Sequence, residues 1–168
     1  YIYATGVNGG VSILTSQKNT GSNYDAVFRS AVEVLANGGD IKLLGGQVLS
    51  GSTGIANGIW QFETSFEIGS KALTPVPSSA SNITINYDKY YFNGVLALVK
   101  TTGTFTWDGS GASTSGFGQG VNTAWYTFTG LSGLKIGSLV NDQNITVSTN
   151  ALSIAGPIEF LAMGGTTA

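Results

Sequence analysis

From Asp40 to the end of the chain, short apolar stretches recur about every ten residues, and glycine, asparagine and serine fill the gaps between them. The stretches are Ile41 to Leu44, Ile59 to Ile68, Ile83 to Ile85, Val95 to Val99, Phe105 to Trp107, Trp125 to Phe128, Leu134 to Ile136, Ile145 to Val147, Leu152 to Ile154 and Ile158 to Leu161. Each reads as a strand. The rhythm fits either a β-sandwich or a β-solenoid, and periodicity alone does not choose between them. No crisp internal repeat is visible, but the coils of a solenoid need not resemble one another in sequence. The segment Asp108 to Gly120, DGSGASTSGFGQG, carries too much glycine and serine to pack and is expected to be an exposed loop.

The first 40 residues have a different texture. Tyr1 to Thr5 and Val11 to Thr15 alternate apolar and polar residues around Asn8-Gly9-Gly10, the punctuation of a hairpin, so residues 1–20 are expected to form a strand or hairpin arm. Residues 24–37 are expected to form a short helix. Ser22 or Asn23 can cap it, and Asp25 stands in its first turn, where the helix dipole favours a carboxylate. Val27, Ala31, Val34 and Leu35 fall at helical spacing on one face, and Asn37-Gly38-Gly39 ends the segment. At 168 residues the whole chain reads as a single β-rich domain, with strands over 40–168.

Composition removes several function classes. Charged residues make up 10% of the chain, against roughly 25% in an average soluble protein, so the surface is largely neutral and rich in hydroxyls and amides. A net charge of −2 with no basic stripe argues against nucleic acid as a partner. The longest aliphatic run, Val95 to Val99, falls far short of the roughly 20 residues that cross a bilayer as a helix. Without cysteine there are neither disulfides nor thiolate metal sites. The start at Tyr1, without methionine, suits a processed and exported chain, and Asn82-Ile-Thr and Asn144-Ile-Thr are then candidate glycosylation sites.

The order YIYATG, then TGSNYDAVFRSAVEVLANGGDIKLLGGQVLSGSTGIANGIWQFETSFEIGS, then NITI, resembles the opening of right-handed parallel β-helix proteins of the pectate-lyase-like superfamily. It is particularly similar to a form common among archaeal and viral proteins. The resemblance covers about residues 1–85. It departs from the family where the usual G-T-Y after the first strand reads Gly46-Gln47-Val48. The resemblance implies a right-handed β-helix whose N-terminal end is covered by the helix bearing Asp25, Ala26, Ala31 and Leu35. A solenoid end exposes both a column of apolar side chains and a row of unpaired backbone groups, so a cover is needed. The alternative is a jelly-roll-like β-sandwich with a donated N-terminal strand.

The inventory for catalysis is thin. Histidine is absent, which removes Ser-His-Asp, Cys-His and histidine-ligated zinc sites. Glu63 and Glu67, on one strand, would stand about 13 Å apart at ~3.3 Å per residue, beyond the roughly 5 to 9.5 Å of glycosidase pairs. Carboxylates on neighbouring coils can converge, and Asp88 and Asp108 are the candidates for that. Family lyases pair calcium-binding acids with a basic residue, but the one arginine, Arg29, falls on the expected helix, leaving Lys89 or Lys100. Asp108-Gly-Ser-Gly and Asn141-Asp142-Gln143-Asn144 offer oxygen ligands without the multi-carboxylate spacing of a calcium loop, and turn chemistry accounts for both. Trp60, Trp107 and Trp125 suit core packing, whereas the cluster Tyr87, Tyr90, Tyr91 and Phe92 suits a sheet face or a contact surface.

The expectation is therefore a non-enzymatic structural subunit, without cofactor, catalytic or metal residues, that associates with copies of itself into an extracellular, cell-surface or virion-borne filament, fibre or spike. Surface glycans are a second partner class, and a polysaccharide-binding or polysaccharide-cleaving β-helix is the competing function. Candidate contact residues are Tyr1, Ile2, Tyr3, Val11 and Ile13 in the first strand and Ile158, Phe160 and Leu161 in the last.

Overall fold

The computed structural model describes residues 1–15, 26–28, 32–45, 59–62, 66–70, 81–86, 89–92, 97–108, 120–148 and 152–163, with only the backbone of 26–28, 59–62 and 89–92. These residues form fourteen β-strands and a single 3-10 turn, Thr123–Trp125; no α-helix occurs among them. The strands are β1 (Ile2–Leu14), β2 (Ala26–Phe28), β3 (Val32–Leu44), β4 (Ile59–Phe62), β5 (Phe66–Ser70), β6 (Ile83–Asn86) and β7 (Lys89–Phe92). They continue with β8 (Ala97–Lys100), β9 (Thr104–Asp108), β10 (Val121–Asn122), β11 (Tyr126–Thr129), β12 (Gly133–Gly137), β13 (Ile145–Thr146) and β14 (Ile158–Leu161).

Every strand pairing among the described residues is parallel. That is not the antiparallel pairing of a jelly-roll, and it accords with a solenoid-like fold. The long strand β3 feeds two ladders. Its first half leads through β5 and β8 to β11, while its second half leads through β6, β9 and β12 to β14. A third ladder joins β2, β4 and β7, and β10 pairs with β13. The chain visits these ladders in turn, so successive neighbours in a ladder are successive passes of the same chain, and the sheet curls as it grows.

In-register stacking turns alternate residues into columns. On the second ladder, Val11, Ile41, Ile83, Phe105, Leu134 and Ile158 form one inner column, and Ile13, Leu43, Ile85, Trp107, Ile136 and Phe160 form the next. On the first ladder, Ile2, Val34, Ile68, Val99 and Phe128 stack likewise. The middle members, from Val34 to Trp107, are wholly buried, each contributing about 1.5–3 kcal/mol by leaving water. Aromatic rings pack together in the core: Trp107 lies edge-on against Tyr126 at 4.8 Å, and Phe105 lies 5.4 Å from Phe128.

The described part of the expected helix over 24–37, residues 26–28 and 32–37, is strand. Ala26–Phe28 is strand β2 and Val32–Leu44 is strand β3. The apolar residues of VEVLA satisfy a two-residue period as well as a helical one, and β-branched Val32 and Val34 favour the pleated form once Phe66 and Ile68 stand opposite them. The glycine pair is a corner within β3, where Gly38 has φ 87°, and not a helix stop.

Strand β1 is not a hairpin either. It runs as one strand parallel to β3, pairing Ile2 with Val34 and Ile13 with Leu43, and its register shifts around Gly9 follow the corner of its neighbour. Asn8 takes φ 58° in that irregular stretch. Leu152 to Ile154, expected as a strand, packs against the core without joining a ladder. The loop expected after Asp108 lies outside the described residues, apart from its ends.

One corner between ladders holds a cluster of buried polar groups around Thr101, in which the Ser81 hydroxyl alone is left without a partner. Thr101 Oγ1 donates to the carbonyl of Ser81 at 2.6 Å, accepts from the Gly103 amide at 3.0 Å and lies 3.0 Å from Ser70 Oγ. Such a cluster keeps the corner backbone satisfied without water. The last turn is closed by buried Asn141, whose Nδ2 donates to the carbonyls of Gln143 (3.1 Å) and Leu161 (3.2 Å).

Candidate functional site

Among the residues whose side chains are described, exposure of large apolar side chains falls at the two ends of the ladders. In the first strand Tyr1, Ile2, Tyr3, Val7 and Leu14 are exposed; at the other end Leu139, Val140, Ile158 and Met163 are. Among the residues between Val32 and Gly137 whose side chains are described, no large hydrophobic is exposed. The same inner columns that are sealed in the middle reach 39% exposure at Ile2 and 43% at Ile158.

Of the candidate contact residues, Tyr1, Ile2, Tyr3 and Ile158 are exposed, whereas Ile13, Phe160 and Leu161 are half-buried. Val11 faces inward and is 8% exposed, a member of the core. The structure brings the first five together on β1 and its flank, and the last three together on β14. Sequence reasoning missed Val7, Leu14, Leu139, Val140 and Met163. Val7, between Gly6 and Asn8, and Leu139-Val140, between Ser138 and Asn141, are apolar residues set among polar or small ones, which reads equally as ordinary loop composition.

Among the described residues β11 pairs only with β8, and at the two ends of the other ladder β1 pairs only with β3 and β14 only with β12, each leaving one edge free. The edges of β1 and β14 differ in chemistry. No residue from Ile2 to Leu14 is charged, so β1 lacks the lysines, prolines and inward charges that commonly keep a sheet edge from pairing with another chain. β14 is preceded by Pro157 and carries Glu159, which lies 3.8 Å from Lys135 one strand back.

The acids fall differently from the sequence expectation. Glu63 and Asp88 lie outside the described residues, and Asp108, at the end of β9, stands opposite Asn86. The pair that does meet is Glu33 and Glu67, direct partners across β3 and β5, on strands ~4.8 Å apart. The Tyr3 hydroxyl donates to Glu33 Oε2. That bond, with some loss of water and the nearby charges of Glu33 and Glu67, pushes the Tyr3 phenol up to about 12. No group of three or more metal-ligating side chains forms among the described residues. Arg29 lies outside them; Lys100 ends β8 on the outer face, in the row beginning at Tyr3 and Leu35.

The Asn141 to Asn144 segment is a turn tied by its own side chains: Asn141 Oδ1 accepts from the Gln143 amide at 3.2 Å, and Asp142 Oδ1 accepts from Gln143 Nε2 at 2.8 Å. Both sequon asparagines are exposed. Asn82 is engaged, donating to Asp40 at 3.4 Å and accepting from the amide and hydroxyl of Thr104 at 3.1 and 3.0 Å. Of the aromatics, Trp107 is core and Trp125 is half-buried against it. Tyr87 lies outside the described residues. Among those residues no helix is long and apolar enough to cross a membrane.

Comparison of the chain with protein-family models, with curated proteins and with solved structures returns no match.

Proposed function

We propose that this chain is a non-enzymatic structural subunit that assembles with copies of itself into an extracellular or virion-associated filament, fibre or spike. The scaffold is a right-handed parallel β-helix of the pectate-lyase-like kind. One observation carries the reading: among the described residues, apolar exposure falls at the two opposite ends of a stacked parallel sheet, and each end also presents an unpaired strand edge. Opposite ends that fit one another make a heterologous contact, and such contacts that do not close build open polymers. The neutral surface suits an exposed setting, with Asn82 and Asn144 as the candidate glycan acceptors.

Sedimentation velocity over a range of concentrations, with electron microscopy of the same samples, tests this. Elongated species that grow with concentration are expected, and a strict monomer of 17.3 kDa throughout overturns the reading.

The competing reading, a polysaccharide-binding or polysaccharide-cleaving protein, draws on the in-register Glu33 and Glu67 with Tyr3 beside them. Release of products from acidic polysaccharides, lost in Glu33→Gln or Glu67→Gln, would favour it over assembly.

A further inference from the structure

The free edges of β1 and β14 belong to one ladder, run in the same direction and share the same inward and outward positions. Val11 and Ile158 occupy one inner column, Ile13 and Phe160 the next, and Ser12 and Glu159 the outward row between them. A parallel strand added beyond β14 in the existing register would therefore have the side-chain pattern that β1 already displays.

We infer that the partner at β14 is β1 of a second copy, stacked head to tail in the register that continues the columns. Ile158 then covers Val11 of the next copy, Phe160 covers Ile13, and Leu161 covers the exposed Leu14. This rests on the assembly reading above and specifies its contact.

Charge supports the same register. β1 brings no charge to the junction, so no ionised group is stranded there. The outward row would read Lys135, Glu159, Ser12 of the next copy and Lys42 of the next copy, which places the single acid between lysines of both chains. A copy turned the other way would set Glu159 against Glu159, a like-charge pairing that opposes it.

The absence of cysteine makes the register directly readable. Neighbouring parallel strands, ~4.8 Å apart, lie within the Cα separation of about 4.4–6.8 Å that a disulfide spans, while two strands' distance does not. Within one copy Ser12 and Glu159 are five strands apart and cannot bridge. Ser12→Cys/Glu159→Cys under mild oxidation is expected to give a ladder of covalent multimers on non-reducing gels, and Lys42→Cys/Glu159→Cys is expected to give none. Sedimentation of the reduced variants runs beside the gels. Reduced protein that polymerises without forming the Ser12–Glu159 ladder overturns this register and leaves self-assembly standing. Cross-linking that stops at dimers overturns head-to-tail stacking. Reduced protein that stays monomeric overturns the assembly reading and this contact together.

Discussion

Phe105 and Ile158 stand in the same inner column, two strands apart, yet the first is wholly buried and the second is 43% exposed. Their chemistry is alike; their position in the stack is not. In a parallel ladder each inner side chain needs a neighbour above and below, so the middle of the molecule is complete in itself while the ends hold half of a contact. Backbone groups follow the same rule, being paired on both sides at β9 and on one side at β14.

The largest effect that would break this contrast is expected from Trp107→Ala. Removing a wholly buried indole from among Trp125, Tyr126 and Phe105 should cost about 3–5 kcal/mol in denaturant unfolding. Ile158→Ala, in the terminal strand, should cost about 1 kcal/mol or less in the dissociated chain. Equal costs would mean that the end is as well sealed as the middle.

Next comes Gly137→Ala. Gly137 has φ 86°, and a Cβ there would run into the carbonyl oxygen of Leu161. The substitution should cost about 2–3 kcal/mol and should release β14 before the rest of the ladder, seen as faster amide exchange at 158–161 than at 104–108. Thr101→Val tests a corner in the interior. It leaves the Gly103 amide and the Ser70 hydroxyl short of a partner, with an expected loss of about 1–2 kcal/mol.

The smallest effect concerns Tyr3 at the first end. Its phenol is raised from 10.0 to about 12, chiefly by the bond to Glu33. A phenol whose folded value lies above its unfolded value favours the folded chain below pH ~10, and that contribution is lost as pH rises from there through 12. Ultraviolet titration of Glu33→Gln against the parent chain should show one tyrosine moved back toward the ordinary range.

How much was legible beforehand differs by region. Alternation in Ile83 to Ile85 and Phe105 to Trp107 marks strands correctly, because residues that face a core on one side of a sheet must repeat with a period of two. The segment at 32–36 misled. Val32, Val34 and Leu35 suit either a helix face or a strand, and what decides is Phe66 and Ile68, more than thirty residues away, which local pattern does not reveal. The same holds for the acids: Glu63 and Glu67 are close in sequence, but register, a property of the assembled sheet, pairs Glu67 with Glu33. The end strands were readable as apolar edges, since Tyr1 to Tyr3 and Ile158 to Leu161 have no equally apolar flank. That β1 would lie along β3 and not fold back on itself was not readable, because Asn8-Gly9-Gly10 suits a bulge at a corner as well as a two-residue turn.

The spacing of registered partners carries one more consequence. The chain spends nearly twice as many residues passing from Ile41 to Ile83 as from Ile83 to Phe105, yet all three sit in one unbroken column. Coil circumference is thus uncoupled from core geometry, and residues can be added or removed between ladders without moving a buried side chain. An assembly built on that column would keep one repeat distance whatever the length of its coils.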